Sequence, residues 1–369
     1  MDFQLSEEQV LLRDTTRSML SGYDTETRNQ VVDADPGFNP QVWKQLADTG
    51  ILGLGFDPDE SGPLEIMVVL TEIGRRVAPE PVVHGALGPG ALIAEHGDAE
   101  QRKLLDSVAE GDQILAFAHT EPGMRGEGAK VTTAAVRQGD SWLLSGRKNP
   151  VLTGDRADTL VISAALPDGG TGLFLVDGDA DGLTRRPYRT FDGRRGAQID
   201  LDNAAGTPLG EATDATAAIE HAIVRISSAL CAEAVGAMEE ALRLTTDYLK
   251  TRKQFGVTLN TFQTLTQRAA DMYVSLELAR SMSMYAAMSI ADGNLDPLIA
   301  ARAKLQIGRS GRHIAQEAVQ LHGGIGMTWE YPVGHYAARL TAIEHTLGSS
   351  QDQLHVLMAN LDGYDLAKL

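Results

Sequence analysis

The chain has a single cysteine, Cys231, so no intrachain disulfide can staple it. Such usage fits a reduced cytoplasm. The thiol sits in the apolar helical stretch SSALCAEAVGAM, with no cation nearby to lower its pKa, and we expect it buried and inert. Basic residues are in deficit too: 32 Lys and Arg face 50 Asp and Glu, a formal charge of −18. That sign opposes nucleic acid and anionic membranes as partners, and any anionic ligand needs a local basic site. No run of about 18 apolar residues occurs, and MDFQLSEEQVLLRD lacks the basic start and apolar core of a signal peptide. The expectation is a chain that is neither exported nor membrane-spanning.

Several chemistries are missing as well. There is no G-x-G-x-x-G, no Walker lysine loop and no G-x-S-x-G, since GRSG at Gly308–Gly311 is one residue short. His313, His322, His335 and His345 lack metal-ligand spacing, so no metal is expected.

What is present is an ordinary folded composition, 43% hydrophobic and 22% charged over 369 residues, arranged in three textures. The first third is punctuated as helices. Ser6 and Gln9 make a capping-box pattern, Asn39–Pro40 open NPQVWKQLADTG, and Pro63–Pro79 and Asp98–Gly111 follow. The middle third carries short β-type runs, ILAFAH, SWLLSG, TLVISAAL, GLFLVD and AQIDLD, between Gly, Asp and Pro. The helical period then returns in long segments, with Ile226, Leu230, Ala234, Ala237, Ala241, Leu244 and Tyr248 on one stripe. The reading is an α+β protein: an N-terminal helical domain (1–112), a middle antiparallel β-barrel domain (113–210) and a C-terminal four-helix bundle (211–369).

Three stretches could carry chemistry. TRKQFG (Thr251–Gly256) follows a long helix, where Arg252 could pair with a phosphate and Phe255 could pack on a planar base. It reads equally as a charged helix end with a core phenylalanine. QLHGGIG (Gln320–Gly326) ends another helix, with two glycines that permit close backbone approach and Gln320 as an amide donor, or is a simple C-cap turn. TEPG (Thr120–Gly123) ends a strand, either as an ordinary Pro-Gly turn or as a loop presenting donors to a ring or phosphate.

Taken together and in this order, these stretches resemble the flavin-dependent acyl-CoA dehydrogenase family over the whole chain, from QLSEEQVLLRD through TEPG and TRKQFG, with Phe262–Gln263, to QLHGGIG and EYP. The resemblance implies FAD as cofactor and removal of the α-proton of an acyl-CoA thioester by a glutamate while the flavin accepts hydride from the β-carbon. It also implies that the ADP end of each FAD is gripped by the neighbouring subunit, through residues matching Arg252, Phe255, Leu259, Phe262, Gln263, Gln320 and Gly324.

At other positions the chain departs from the family. The usual base position before a Gly-Thr pair falls on Leu347, ahead of Gly348–Ser349. The alternative base position, just before Arg225, is Val224. Where relatives have Trp-Ile-Thr against the flavin ring, Pro150, Val151 and Leu152 align; a shift of one residue would bring in Thr153. The Gly-Ser-Asp that usually follows TEPG is Arg125–Gly126–Glu127. A chain that keeps what it lends and lacks what it would use itself resembles the base-less subunit of an α2β2 dehydrogenase, as in actinobacterial sterol side-chain breakdown. A catalytic sister subunit would then bind most of the acyl-CoA. The alternatives are a self-sufficient enzyme using Glu344 as a displaced base, although Glu344 reads more simply as a solvated helix residue, and a non-enzymatic scaffold.

Overall fold

Ser6 caps the first helix, α1 (Glu7–Met19): its hydroxyl accepts from the Gln9 amide, and the Gln9 side chain returns to the Ser6 backbone. The computed structural model describes residues 4–57, 62–124, 129–139 and 141–361. After α2 (Thr25–Asp33), Asn39 caps α3 (Pro40–Asp48) by accepting from Gln41 N, with Pro40 at the first helical position. Next come α4 (Pro63–Arg76), a π-helical turn at Val83–Leu87 and α5 (Gly88–His96). The helix expected over Asp98–Gly111 is two short ones, α6 (Ala99–Arg102) and α7 (Leu104–Ala109).

Seven strands follow: β1 (Leu115–Ala118), β2 (Ala134–Gln138), β3 (Ser141–Leu152), β4 (Thr159–Ala165), β5 (Thr171–Asp177), β6 (Leu183–Arg189) and β7 (Arg195–Pro208). Pairing runs β4–β2–β3–β7–β5 and back to β4, so the sheet closes into a barrel, with β1 added on β4 and β6 on β7. Leu144, Val151, Leu160, Ile162, Phe174, Val176 and Ile199 fill the interior. Most pairs are antiparallel, as expected, but β1–β4 and the single β2–β4 pair run parallel. The 40-odd residues between β1 and β4 include β2 and β3, enough chain to return in the same direction. Neither β2 nor β6 was legible as a strand. Only Ala135 of β2 is buried, and β6 is LTRRPYR, whose proline and arginines suit an edge that pairs on one side only.

The rest is helical: α8 (Thr216–Thr251), a small hairpin of β8 (Lys253–Gln254) and β9 (Val257–Thr258), α9 (Gln263–Ala291), α10 (Pro297–His322), α11 (Pro332–His345) and α12 (Ser350–Ala359). Helix α10 is central, packing on α9, α11 and α12.

The chain partitions into two units. One comprises residues 1–27, 67–78 and 227–369. Within it an ion-pair chain runs Arg17–Glu72–Arg75–Glu239–Arg280, linking α1, α4, α8 and α9. Arg339 forks onto Glu233 through two 2.8 Å bonds with both side chains buried, a pair whose breaking typically costs about 3–5 kcal/mol. Cys231 is fully buried, and burial pushes its thiol up to about 12, so it is inert as expected.

The other unit comprises residues 28–66 and 79–226. Here the basic β6–β7 hairpin is used internally. Arg189 donates to Val32 O and Arg195 Nη2 to Ala34 O at 2.6 Å, satisfying carbonyls at the end of α2, while Arg28 Nη2 reaches Asp192 O at 2.8 Å. Among the described residues no helix is long and apolar enough to cross a membrane, and no group of three or more His, Cys, Asp or Glu could hold a metal.

Candidate functional site

Seven residues expected to grip an ADP group lie on two adjoining segments. Helix α8 ends at Thr251, and the chain turns through the β8–β9 hairpin, which returns Leu259 N to Arg252 O at 2.9 Å. Phe255 occupies the hairpin tip in the left-handed region, φ 54°, and is 92% exposed. It is therefore not the core phenylalanine of the simpler reading. Its ring meets Phe262 edge-on at 6.2 Å, and Gln263 opens α9. Gln320 lies in the last turn of α10, which Gly323 ends at φ 67°. The ends of α8 and α10 meet through Tyr248 and His322, ring centroids 4.5 Å apart, with Tyr331 5.0 Å from His322.

None of this is consumed by the chain's own packing. The side chains of Arg252, Gln263 and Gln320 are exposed and hydrogen-bond to no described residue. Leu259 alone of the seven is half-buried. A β-carbon added at Gly324 would meet nothing within 4 Å, so internal sterics do not require glycine there; an approaching ligand would. An unpaired guanidinium, exposed aromatic rings, two free amides and a bare backbone turn fit a nucleotide diphosphate.

The expected base loop is built in the opposite sense. Leu347 is half-buried and left-handed at φ 56°, followed by Gly348 at φ 89°. Around it several polar groups are tied down. Lys304 Nζ donates to Ile343 O and Thr346 O at 2.7 Å each, Gln353 Nε2 donates to Leu347 O at 3.1 Å, and Ser349 forms a capping box with Asp352. Glu344 is 6% exposed, which corrects its reading as a solvated helix residue. Its Oε1 accepts from Ser350 N at 2.9 Å and more weakly from Arg312, and its Oε2 accepts from Ser350 Oγ at 2.8 Å. Gly308 of α10 makes room for that carboxylate; a β-carbon there would collide with it. What sequence reasoning missed is this convergence of residues 308, 344 and 350, which only packing brings together.

Near TEPG the structure shows a second buried cluster, hydrogen-bonded internally except at His119 Nε2 and Thr133 Oγ1, which find no partner among the described residues. Lys148 is 0% exposed, and its Nζ donates to Glu121 Oε1 (2.8 Å), Ser163 Oγ (3.0 Å) and His119 O (3.1 Å). Glu121 also accepts from Thr132 N (2.7 Å), Thr133 N (2.9 Å) and the Thr132 hydroxyl. Burial would raise the Glu121 pKa, but these donors hold it down at about 2. Burial pushes Lys148 down to about 8 despite its partner, and His119, desolvated and beside Lys148, down to about 4.

Of the three residues aligned with a flavin-ring contact, Val151 is fully buried in the barrel and Leu152 half-buried, and Pro150 follows a cis bond from Asn149. Thr153, φ 65°, is buried and lines a cavity of about 30 Å³ with Phe38, His84, Asp155, Arg156 and Arg195. Arg125, Gly126 and Glu127 lie outside the described residues. Val224 is buried, and Arg225 is ion-paired with Glu95.

Comparison with known proteins decides the family. Models of the acyl-CoA dehydrogenase N-terminal, middle and C-terminal domains match residues 6–112, 116–203 and 219–361. The chain belongs to the acyl-CoA dehydrogenase family. A short-chain-specific acyl-CoA dehydrogenase of Clostridium acetobutylicum is 28% identical, covering 98% of this chain and 100% of its own length. Among solved structures, the Tcur3481-Tcur3483 steroid ACAD is 33% identical with TM-score 0.89, covering 96% of this chain and 98% of that one. The ChsE4-ChsE5 complex from Mycobacterium tuberculosis is 25% identical with TM-score 0.89, covering 99% and 100%. The three-domain acyl-CoA dehydrogenase fold is thus shared, and FAD is the cofactor of the family.

Proposed function

We propose that this chain is the complementing subunit of a two-chain acyl-CoA dehydrogenase, lending the ADP-end site of FAD to a catalytic sister chain that binds most of the acyl-CoA. The carrying observation is a contrast. Arg252, Phe255, Phe262, Gln263, Gln320 and Gly324 face outward and unused, while the base position holds Leu347 and two nearby carboxylates are spent, Glu344 on Ser350 and Arg312 and Asp352 on Ser349. A family reaction needs a positioned base for the α-proton, and without one the rate falls by about 10² to 10⁴. FAD, when bound, supplies the hydride acceptor; this chain's residues would hold its diphosphate and adenine.

Two further features support a two-chain assembly. Helix α9 carries Tyr273, Val274, Leu278 and Tyr285 exposed, an apolar face suited to a protein partner. The Tcur3481-Tcur3483 steroid ACAD and the ChsE4-ChsE5 complex each join two named components. A bulky sterol-derived CoA ester is the substrate class we infer by that likeness, and we assign the domains as 1–112, 113–210 and 211–369.

The test is FAD per chain, read by absorbance, for the protein alone and after co-expression with a neighbouring dehydrogenase-like gene. The expected outcome is substoichiometric flavin alone and about one FAD per pair together. Full flavin on the lone chain, bleached by an acyl-CoA, would refute the proposal.

A further inference from the structure

His322 is the last residue of α10 and is 4% exposed. Its Nδ1 lies 2.8 Å from Ala318 O, one turn back in the same helix. A carbonyl only accepts, so Nδ1 carries the proton and Nε2 keeps a lone pair. That second nitrogen is buried and hydrogen-bonds to no described residue. Burial pushes the imidazole below its ordinary pKa, against the pull of the Ala318 and Leu244 carbonyls, so the ring is uncharged at neutral pH.

The uncharged ring joins two segments. Tyr248 of α8 packs on it with centroids 4.5 Å apart, and Tyr331, just before α11, at 5.0 Å. The two tyrosine rings are 6.5 Å from each other, so the three form one aromatic cluster. On the α8 side, Arg252 N donates to Tyr248 O at 2.8 Å and Arg252 O accepts from Leu259 N, which ties the β8–β9 hairpin to Tyr248. On the α10 side, Gln320 and Gly324 each lie two residues from His322, and the turn folds back onto it: a β-carbon on Gly326 would press on His322 Cβ at 3.1 Å.

Two groups on separate segments grip one ligand well when their spacing is set before the ligand arrives. We infer that His322 is a positioning residue whose ring sets the spacing between the Arg252 hairpin and the Gln320–Gly324 turn. The ligand is taken from the ADP-end reading above, on which this role rests; the contact itself does not depend on it.

The test is calorimetric titration of the full chain with ADP, well below the melting temperature. His322→Asn keeps a donor for Ala318 O and deletes the ring, and ADP should bind roughly tenfold more weakly. His322→Phe, which retains an aromatic ring, should restore most of the loss. Positioning also requires coupling: in an Arg252→Ala background, His322→Asn should cost less than about twofold more, because no guanidinium is left to misplace. Without ligand, hydrogen exchange in His322→Asn should rise over both 248–262 and 320–331. Full additivity of the two substitutions, exchange unchanged in either segment, or a lowered melting temperature with ADP affinity intact overturns the inference. So does a folded His322→Phe that binds no better than His322→Asn. If exchange rises in both segments while the parent chain has no affinity for ADP, the spacing role of the ring stands and the ADP-end reading fails.

Discussion

Two regions that the family resemblance marks as functional are built on opposite principles. At the joint of α8, α9 and α10, Arg252, Phe255, Gln263 and Gln320 project into solvent with their bonding capacity unspent. Around Thr346–Ser349, the side chains of Lys304, Glu344, Ser349, Ser350 and Gln353 hydrogen-bond to one another or to the local backbone. A group poised for a ligand is left unsatisfied or satisfied by water, whereas a group that maintains shape is satisfied by the chain itself. By that criterion the first region has the character of the proposed binding surface and the second that of a scaffold. The Lys148–Glu121 pair falls on the scaffold side, whereas His119 is only half satisfied, with Nδ1 on Ser163 and Nε2 buried without a partner among the described residues.

The sharpest way to break this contrast is Glu344→Ala. If Glu344 is scaffold, its loss strands Ser350 N and Oγ and opens a void beside Gly308, so stability should fall by about 3 kcal/mol in urea unfolding. Turnover by the folded, assembled pair should be retained. A protein of unchanged stability and lost turnover would make Glu344 the displaced base instead.

A smaller effect is expected from pH. His119 is held near 4, below its ordinary 6.5, so as pH falls the unfolded chain takes up a proton that the folded chain refuses. Stability contributed by the neutral ring is fully present above about 6.5 and declines toward 4, amounting to about 2 kcal/mol between pH 6.5 and 5. His119→Gln should flatten that part of the profile. Below about 4.5 a second decline should begin, because Glu121 stays ionised to about 2 only while Lys148, Thr132 and Thr133 hold it.

How much of this could be read from residues alone depended on how local the cause was. The caps at Ser6 and Asn39 depend on neighbours within three residues, and the structure reproduces them atom by atom. The exposed residues proposed for the ADP end were legible as motifs because they cluster along the chain in two short stretches. Strands β2 and β6 were not, since their membership depends on distant partners rather than on their own apolar pattern. Burial of Glu344 was invisible for the same reason: it depends on a glycine 36 positions earlier and a serine six positions later. His119 gave no signal either, because its partners Ser163 and Lys148 come from other strands.

The smallest expected effect tests the outward side of the comparison. Arg252→Ala removes a guanidinium that pairs with no described residue, so the melting temperature of the lone chain should stay within about 0.5 kcal/mol equivalent of the parent. If that guanidinium holds a phosphate in the assembled pair, FAD affinity should drop roughly tenfold, about 1.5 kcal/mol, as expected for one charge-assisted hydrogen bond. Flavin retained through dialysis of the co-expressed pair measures it. Loss of stability without loss of flavin would mean that Arg252 is a helix-end cation serving α8, and the two regions would no longer differ in kind.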